Sequence, residues 1–113
     1  MYSSAGDIEP SVAFFRTNGG AKPQAVAQKR PNALGLYDMH ENVWEWTQDF
    51  WNVNYSGATS NGSGWESGDC SCRVRRGGSW YDFPSILRSA FRFWNTPVFR
   101  ITSVIGFRIA RSL

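Results

Sequence analysis

Cysteine and histidine are scarce in this chain. Among its 113 residues there are two cysteines, Cys70 and Cys72, and one histidine, His40. Two thiols only two positions apart are badly placed to bridge each other, and without nearby histidines they are too few for a closed zinc site. The sequence therefore excludes a disulfide framework, and we expect Cys70 and Cys72 to be free thiols in a loop.

Long apolar runs are also missing. The longest is only a few residues, so no segment is a candidate transmembrane helix. The opening residues, MYSSAGDIEP, have no basic stretch followed by an apolar one, so no signal peptide is visible. Apolar residues still make up 42% of the chain and aromatic residues 16%. This composition favours one packed domain over a disordered chain.

Lysine is absent from the second part of the chain, where all positive charge is arginine. Residues 73–113 contain eight arginines and one acidic residue, Asp82, whereas residues 1–72 contain eight acidic and four basic residues. An arginine-rich, aromatic segment raises nucleic acid as a partner. These arginines form no run, however, so we expect them to brace loops through carbonyls and carboxylates. A nucleic acid partner is not expected.

The hydrophobic pattern predicts short elements joined by long loops. In HENVWEWTQDFW, residues 40–51, the apolar positions have roughly helical spacing and predict one or two helical turns. A second short helix is predicted in IEPSVAFF, residues 8–15. RVRRGGSW predicts a strand that ends at the glycine pair Gly77 and Gly78. RSAFRFWN and VIGFRIARSL alternate as strands do. Together these features favour a small, irregular α+β domain.

Four blocks of the sequence resemble the formylglycine-generating-enzyme (sulfatase-modifying-factor) family. They are PNALGLYDMHENVWEW, RVRRGGSW, RSAFRFWN and IGFRIARSL, which follow the family's order between residues 31 and 113. The resemblance implies an α+β, C-type-lectin-like fold that is rich in loops, with short strands and few helices. The predicted core consists of Leu34, Leu36, Trp44, Trp46, Val74, Ile105, Phe107 and Ile109.

The family domain usually begins well upstream of Tyr2. The resemblance therefore implies that residues 1–113 form a single domain that lacks the N-terminal part of the family domain, or a minimal version of it. Such a domain would leave an apolar flank uncovered, and exposed apolar area tends to be covered by a partner. We therefore expect a homo-oligomer.

The family's enzymatic chemistry does not carry over to this sequence. The enzyme uses two cysteines five residues apart, and those positions correspond here to Pro84 and Ser89. Neither residue offers a soft ligand for copper, so no copper is expected. Sulfoxide synthases of the same fold add a separate histidine-bearing iron domain, which a lone His40 cannot supply. We therefore expect no enzyme activity, and a copper- or iron-dependent oxidase fragment is the least favoured alternative.

The family also has a calcium site on the turn that resembles HENVWEW. Carried over, its ligands are the backbone carbonyls of His40, Glu41 and Val43 and the side chain of Glu45, all hard oxygen donors that suit calcium. Glu41 stands where the family usually has glycine. The alternative is that Glu45 pairs with an arginine of the C-terminal part, and that His40 has a structural role.

A branch of the same fold serves as the variable protein of diversity-generating retroelements, in which a fixed frame surrounds randomised positions. The segment from RGGSW to GFR resembles that arrangement, with residues 79–104 as the variable region. Its intervening residues all belong to the set that adenine randomisation of an asparagine codon can reach. The resemblance implies a ligand-binding surface made of Tyr81, Asp82, Phe83, Ser85, Ile86, Phe91, Phe93, Asn95, Phe99, Ile101, Thr102, Ser103 and Val104.

This interpretation makes a structural prediction and leaves an alternative open. The ligand-binding residues should share one accessible surface, with a macromolecule such as a protein as the ligand, since rigid aromatics suit such surfaces. The frame residues Trp80, Arg88, Arg92, Trp94 and Arg100 should point into the scaffold or brace the loops from below. The alternative is a catalytically inactive domain with a fixed structural or binding role, in which Phe91 and Phe93 are core.

Overall fold

A computed structural model describes residue 13 and residues 16–40, 42–98 and 103–110 of the chain. Within these ranges there are four strands: β1 (Trp44–Trp51), β2 (Asp69–Arg76), β3 (Phe93–Asn95) and β4 (Ile105–Gly106). A single turn of 3-10 helix spans Pro84–Ile86. No helix among the described residues is long and apolar enough to cross a membrane. The predicted helix at residues 8–15 lies almost wholly outside them.

The strands form one sheet in the order β3-β2-β1-β4. The β1–β2 and β2–β3 pairs are antiparallel, whereas β4 runs parallel to β1. Short strands, long loops and little helix confirm the loop-rich, C-type-lectin-like architecture that was predicted. The strand in RVRRGGSW is also confirmed, because β2 ends at Arg76 and is followed by Gly77 and Gly78, both at positive φ.

The helix predicted in residues 40–51 is wrong, because Trp44–Trp51 is the central strand β1. Trp46 pairs with Arg75 and Phe50 with Arg73, so four steps along β1 match only two along β2. Such an irregularity interrupts the two-residue alternation of a strand. A four-residue spacing such as Trp46–Phe50 places both side chains on one face of a helix and also on one face of a strand, so it does not distinguish the two. The irregular stretch also binds a loop, since the carboxylate of Asp49 accepts a hydrogen bond from the backbone N–H of Trp65 at 2.9 Å.

The centre of the core lies on Trp44, Val74 and Leu87, which are 4%, 1% and 0% exposed. The first two confirm predicted core positions. Leu87 lies directly after the 3-10 turn, and its carbonyl is 3.0 Å from Nδ1 of His40, which confirms a structural role for that histidine. The other buried residues among those described are Ala13, Gly19, Asn42, Trp65, Cys72, Arg75, Gly78 and Ser79.

Four of the predicted core residues are exposed instead. Leu34, Phe107 and Ile109 are 76–85% exposed and Leu36 is 42% exposed. Leu34 and Leu36 lie in a turn around the Asn32 side chain, which accepts hydrogen bonds from both of their backbone N–H groups. Phe107 and Ile109 follow β4, which ends at Gly106 and so carries neither of them into the sheet. The remaining two predicted core residues, Trp46 and Ile105, are half-buried.

The exposed residues Leu36 and Phe107 line an open groove together with Val26 and Tyr37. The volume of this groove is about 420 Å³. An apolar surface of this kind agrees with the expectation of an uncovered flank. Self-association through it stays a prediction.

Candidate functional site

The segment between β2 and β4 carries all of the predicted binding residues, and they divide into three groups. Tyr81, Phe83, Ser85, Phe93 and Ser103 are exposed. The half-buried members are Asp82, Ile86, Phe91, Asn95 and Val104. Phe99, Ile101 and Thr102 lie outside the described residues. The described members therefore include both surface positions and positions that support the scaffold.

Among the described residues of this segment, the most exposed aromatic side chains are those of Tyr81 and Phe83, at 56% and 54%. The guanidinium of Arg16 lies 5.2 Å from the centre of the Tyr81 ring and 4.9 Å from that of Phe83. Stacking of this kind orders side chains without burying them. We call Arg16, Tyr81 and Phe83 the 81–83 patch.

A buried turn holds the 81–83 patch in place. The carboxylate of Asp82 accepts hydrogen bonds from the backbone N–H of Ser79 at 2.9 Å and from its hydroxyl at 2.7 Å. Ser79 is 1% exposed. Trp80 fixes the neighbouring chain, because its Nε1–H donates to the carbonyl of Ser103 at 2.7 Å. Trp80 therefore braces the scaffold as predicted, and Asp82 has the same kind of role in addition to any contact with a ligand.

Phe91 and Phe93 lie on the face of the sheet that contains Trp44. Their ring centres are 6.1 Å and 6.3 Å from that of Trp44. Phe93 is 44% exposed, whereas Phe91 is half-buried. Phe91 therefore belongs partly to the core, as the alternative interpretation had it.

Trp94 and Arg92 lie beside the opposite end of β1. The Trp94 ring is 6.3 Å from that of Trp51, and Trp94 is 43% exposed, so it lies against the scaffold and does not point into it. β3 is an edge strand, so its side chains have neighbours on one side only. Arg92 does brace the scaffold, because its guanidinium lies 4.9 Å from the Trp51 ring and 4.3 Å from the Tyr55 ring. Arg88 is exposed, contrary to the prediction, and Arg100 lies outside the described residues.

Arg75 is a buried cation that the sequence did not reveal. It is 9% exposed, and its guanidinium lies 4.8 Å from the Trp44 ring and 4.9 Å from the Phe93 ring. Its Nε and Nη1 atoms are buried and have no hydrogen-bond partner. Burial lowers the pKa of Arg75 from its ordinary value, against the opposing influence of Asp82. The rings therefore replace polar partners around this charge.

Because a buried N–H group without a partner costs about 1–3 kcal/mol, we expect Arg75→Met to leave the free energy of unfolding unchanged or to raise it. Methionine keeps most of the volume and removes the charge, and the lost stacking costs only about 0.5–2 kcal/mol. Arg75→Ala, the matched variant, should instead lower stability because it leaves a cavity. Chemical denaturation of the three proteins measures both effects. A large loss in Arg75→Met would mean that the guanidinium has stabilising partners beyond the two rings.

Asn42 is a second buried residue that sequence reasoning missed. Its backbone has a φ of 68°, and it is 7% exposed. Its side chain exchanges two hydrogen bonds of 2.8 Å with the backbone of Gln24, and its carbonyl accepts from the N–H of Trp80 at 3.0 Å. Asparagine tolerates left-handed backbone better than most residues. That preference is the one signal in HENVWEW that could have identified Asn42 as a residue with left-handed backbone.

The predicted calcium ligand Glu45 forms an ion pair. The Nη2 atom of Arg108 lies 2.9 Å from its carboxylate, and the same nitrogen donates to the carbonyls of Tyr37 and Asp38. The hydrogen bond to Glu45 raises the pKa of Arg108. Glu41 lies outside the described residues, and Val43 is half-buried beside Gly106. Arg108 thus supplies a positive charge to Glu45, as the alternative to calcium had it, and calcium at this turn stays a prediction.

The two cysteines are free thiols, as predicted, but they lie in β2 rather than in a loop. Cys72 is buried and Cys70 is exposed. Among the described residues, no three histidine, cysteine or acidic side chains are grouped so that they could hold a metal ion. The equivalents of the family's catalytic cysteines, Pro84 and Ser89, lie at the start of the 3-10 turn and in the turn before β3.

The fold and these side chains agree with comparisons to known proteins. The profile of the sulfatase-modifying factor enzyme 1-like domain matches residues 8–113. The chain belongs to this family. Formylglycine-generating enzyme from Mus musculus is 44% identical over 84 residues, which cover 71% of this chain and 22% of that protein. Hercynine oxygenase from Mycolicibacterium smegmatis is 37% identical over 106 residues, covering 84% of this chain and 24% of that protein.

Two solved structures also have a backbone fold similar to that of this family member. PvdO from Pseudomonas aeruginosa has a TM-score of 0.80 and 36% identity, covering 88% of this chain and 38% of its own. Treponema denticola variable protein 1 has a TM-score of 0.69 and 34% identity, covering 86% of this chain and 34% of its own. The chain thus spans less than a quarter of the two curated relatives named above and just over a third of these structures.

Proposed function

We propose that this family member is a non-catalytic ligand-binding domain, which presents a variable aromatic surface on a C-type-lectin-like scaffold. The observation that carries the proposal is the 81–83 patch. Two aromatic rings, each more than half exposed, are ordered by Arg16 and anchored by the buried Ser79–Asp82 turn. Exposed aromatics on a rigid support are typical of surfaces that bind macromolecules, because they offer a large contact area at a small entropic cost.

The similarity to variable protein 1 supports the proposal, because the likeness covers both sequence and backbone. The residues that correspond to the catalytic cysteines support it as well, since Pro84 and Ser89 provide no thiol. Cys70 and Cys72 do not replace that pair, because they are two residues apart on β2 and one of them is buried. The related enzymes therefore share the scaffold of this chain, and in our proposal they do not share its function. Calcium and copper have no part in it.

The proposal predicts a separation between binding and stability. A ligand selected against this chain from a displayed protein library should lose at least about thirtyfold in affinity on Tyr81→Ala or Phe83→Ala, the typical loss for an aromatic anchor. Both variants should keep their melting temperature within a few degrees, as exposed positions usually do. Val53→Ala is the matched control, because Val53 is apolar and 82% exposed but lies in another loop. If every selected ligand binds both patch variants as tightly as the wild type, the proposed function is wrong.

A further inference from the structure

The strand β3 forms an edge of the sheet, and its outer side has unpaired backbone groups. β3 pairs with β2 on one side only, and no other backbone hydrogen bond of Phe93, Trp94 or Asn95 is formed within the described part of the chain. In an antiparallel pair, alternate residues direct their N–H and C=O groups away from the partner strand. The outer side of β3 therefore offers unpaired backbone groups, which is the arrangement that accepts an additional strand.

Aromatic rings border this edge on both faces of the sheet. Phe93 and Trp94 are consecutive, so their side chains point to opposite faces, and they are 44% and 43% exposed. Their inner sides rest on Trp44 and Trp51, so the rings are supported from below. A strand added along β3 would place its own side chains against Phe93 on one face and against Trp94 on the other.

Positive charge gathers around the N-terminal end of β3. The guanidinium of Arg92 lies 4.9 Å from the centre of the Trp51 ring and 4.3 Å from that of Tyr55, and it forms no hydrogen bond among the described residues. Arg76 donates to the hydroxyl of Tyr55 at 2.8 Å and to the carbonyl of Ser89 at 3.0 Å. Arg88, at the start of the same turn, is exposed. None of these three arginines pairs with a carboxylate of the described residues.

A guanidinium that lies against two aromatic rings, with no hydrogen-bond partner among the described residues, suits a carboxylate, which it can bind through two parallel hydrogen bonds. The open backbone edge selects an extended peptide, since a nucleic acid has no regular row of amide and carbonyl groups to pair with a strand. The guanidinium of Arg92 and the open backbone edge of β3 together favour an extended peptide that carries a carboxylate.

We infer that an extended acidic peptide segment of a partner protein adds to the sheet along β3, with a carboxylate on Arg92. This inference rests on the proposed function and names the chemistry of one partner. An antiparallel peptide would bring its C-terminal end next to Arg92, so its acidic residues would follow its apolar ones.

The test uses a fluorescein-labelled peptide of eight residues, which alternates valine with threonine and ends in two glutamates. Fluorescence anisotropy compares it with two matched peptides: one with lysine in place of glutamate, and one with N-methylated amides on the side that would face β3. Both should bind about tenfold more weakly or worse, because the first loses the charge-assisted hydrogen bonds and the second loses the strand pairing. Arg92→Gln should remove the preference for glutamate over lysine. Lys22→Gln, which removes an exposed positive charge elsewhere, should keep it.

Three outcomes would overturn the inference: no measurable binding of the acidic peptide, equal binding of the N-methylated peptide, or an unchanged glutamate preference in Arg92→Gln. Binding of an eight-nucleotide oligothymidine in competition with the peptide would overturn it as well, in favour of nucleic acid. The proposed function and the strand addition are tested by different results. If selected ligands depend on Tyr81 and Phe83 while the acidic peptide does not bind, the 81–83 patch remains the binding surface and only the strand addition is wrong.

Discussion

Trp44→Ala is expected to lower the free energy of unfolding by about 3–5 kcal/mol, the usual cost of removing a large buried aromatic. Trp44 is 4% exposed and contacts the side chains of Phe91, Phe93 and Arg75. Its loss would open the centre of the core and remove the stacking that surrounds the buried guanidinium. Because a domain of this size is stabilised by only about 5–15 kcal/mol, this loss is a large fraction of its total stability.

Trp94→Ala is the matched control for this prediction, because it removes the same side chain from an exposed position. Trp94 is 43% exposed and its ring contact is with Trp51. We expect a loss of about 1 kcal/mol, the value of one aromatic pair. Urea denaturation followed by circular dichroism gives both numbers. Equal losses in the two variants would show that Trp94 is as much a core residue as Trp44.

Gly78→Ala is the second substitution with a large expected effect. Gly78 has a φ of +77°, and a Cβ atom there would lie 2.3 Å from Cδ2 of Leu87, which is fully buried. The left-handed backbone costs about 1–2 kcal/mol for a non-glycine residue. Displacing a packed core side chain adds about 1–3 kcal/mol. The total loss of stability should be about 2–5 kcal/mol.

A substitution at the neighbouring glycine, Gly77, separates the backbone cost from the cost of displacing Leu87. Gly77 has a φ of +94°, but a Cβ there would meet nothing closer than the Met39 carbonyl at 3.9 Å. Gly77→Ala should therefore show only the backbone cost. In a Leu87→Ala background, which removes the obstructing methyl groups, the additional loss from Gly78→Ala should fall to the Gly77→Ala value. If it does not fall, the clash with Leu87 is not the cause.

Features that depend on local chemistry were predictable from the sequence. The glycine pair after β2 has the positive φ angles that glycine adopts readily, and β2 ends where RVRRGGSW indicated. Trp44 and Val74 were predicted in the core and are buried. The pairing of Glu45 with an arginine was stated as the alternative to calcium, and Arg108 forms that pair.

Features that depend on pairing between distant segments were not predictable in this way. The segment Trp44–Trp51 is a strand because it pairs with β2 and β4, and the apolar spacing within it does not encode that pairing. The burial of Arg75 depends on its position between Trp44 and Phe93, which come from two other strands. The exposure of Trp94 depends on the edge position of β3, and no pattern within RSAFRFWN encodes that position.

The predicted binding surface contains residues whose exposure was predicted correctly and others whose exposure was not. Tyr81 and Phe83 were expected on the surface and are exposed there, supported by Arg16. Phe91 was expected beside them and is half-buried against Trp44. The difference arises because Phe91 approaches β3, where alternation turns every second side chain towards the core face. A resemblance between sequences gives the position of a residue in a motif, whereas its burial depends on what packs against it.

Hydrogen–deuterium exchange of the chain with and without a selected ligand tests the proposed binding surface most directly. The alternative surface is the groove lined by Val26, Leu36, Tyr37 and Phe107. The proposed function predicts that the ligand slows exchange in peptides that cover residues 79–98, including the turn that supports Tyr81 and Phe83. Slower exchange confined to residues 26–37 and 103–110, with residues 79–98 unchanged, would contradict it.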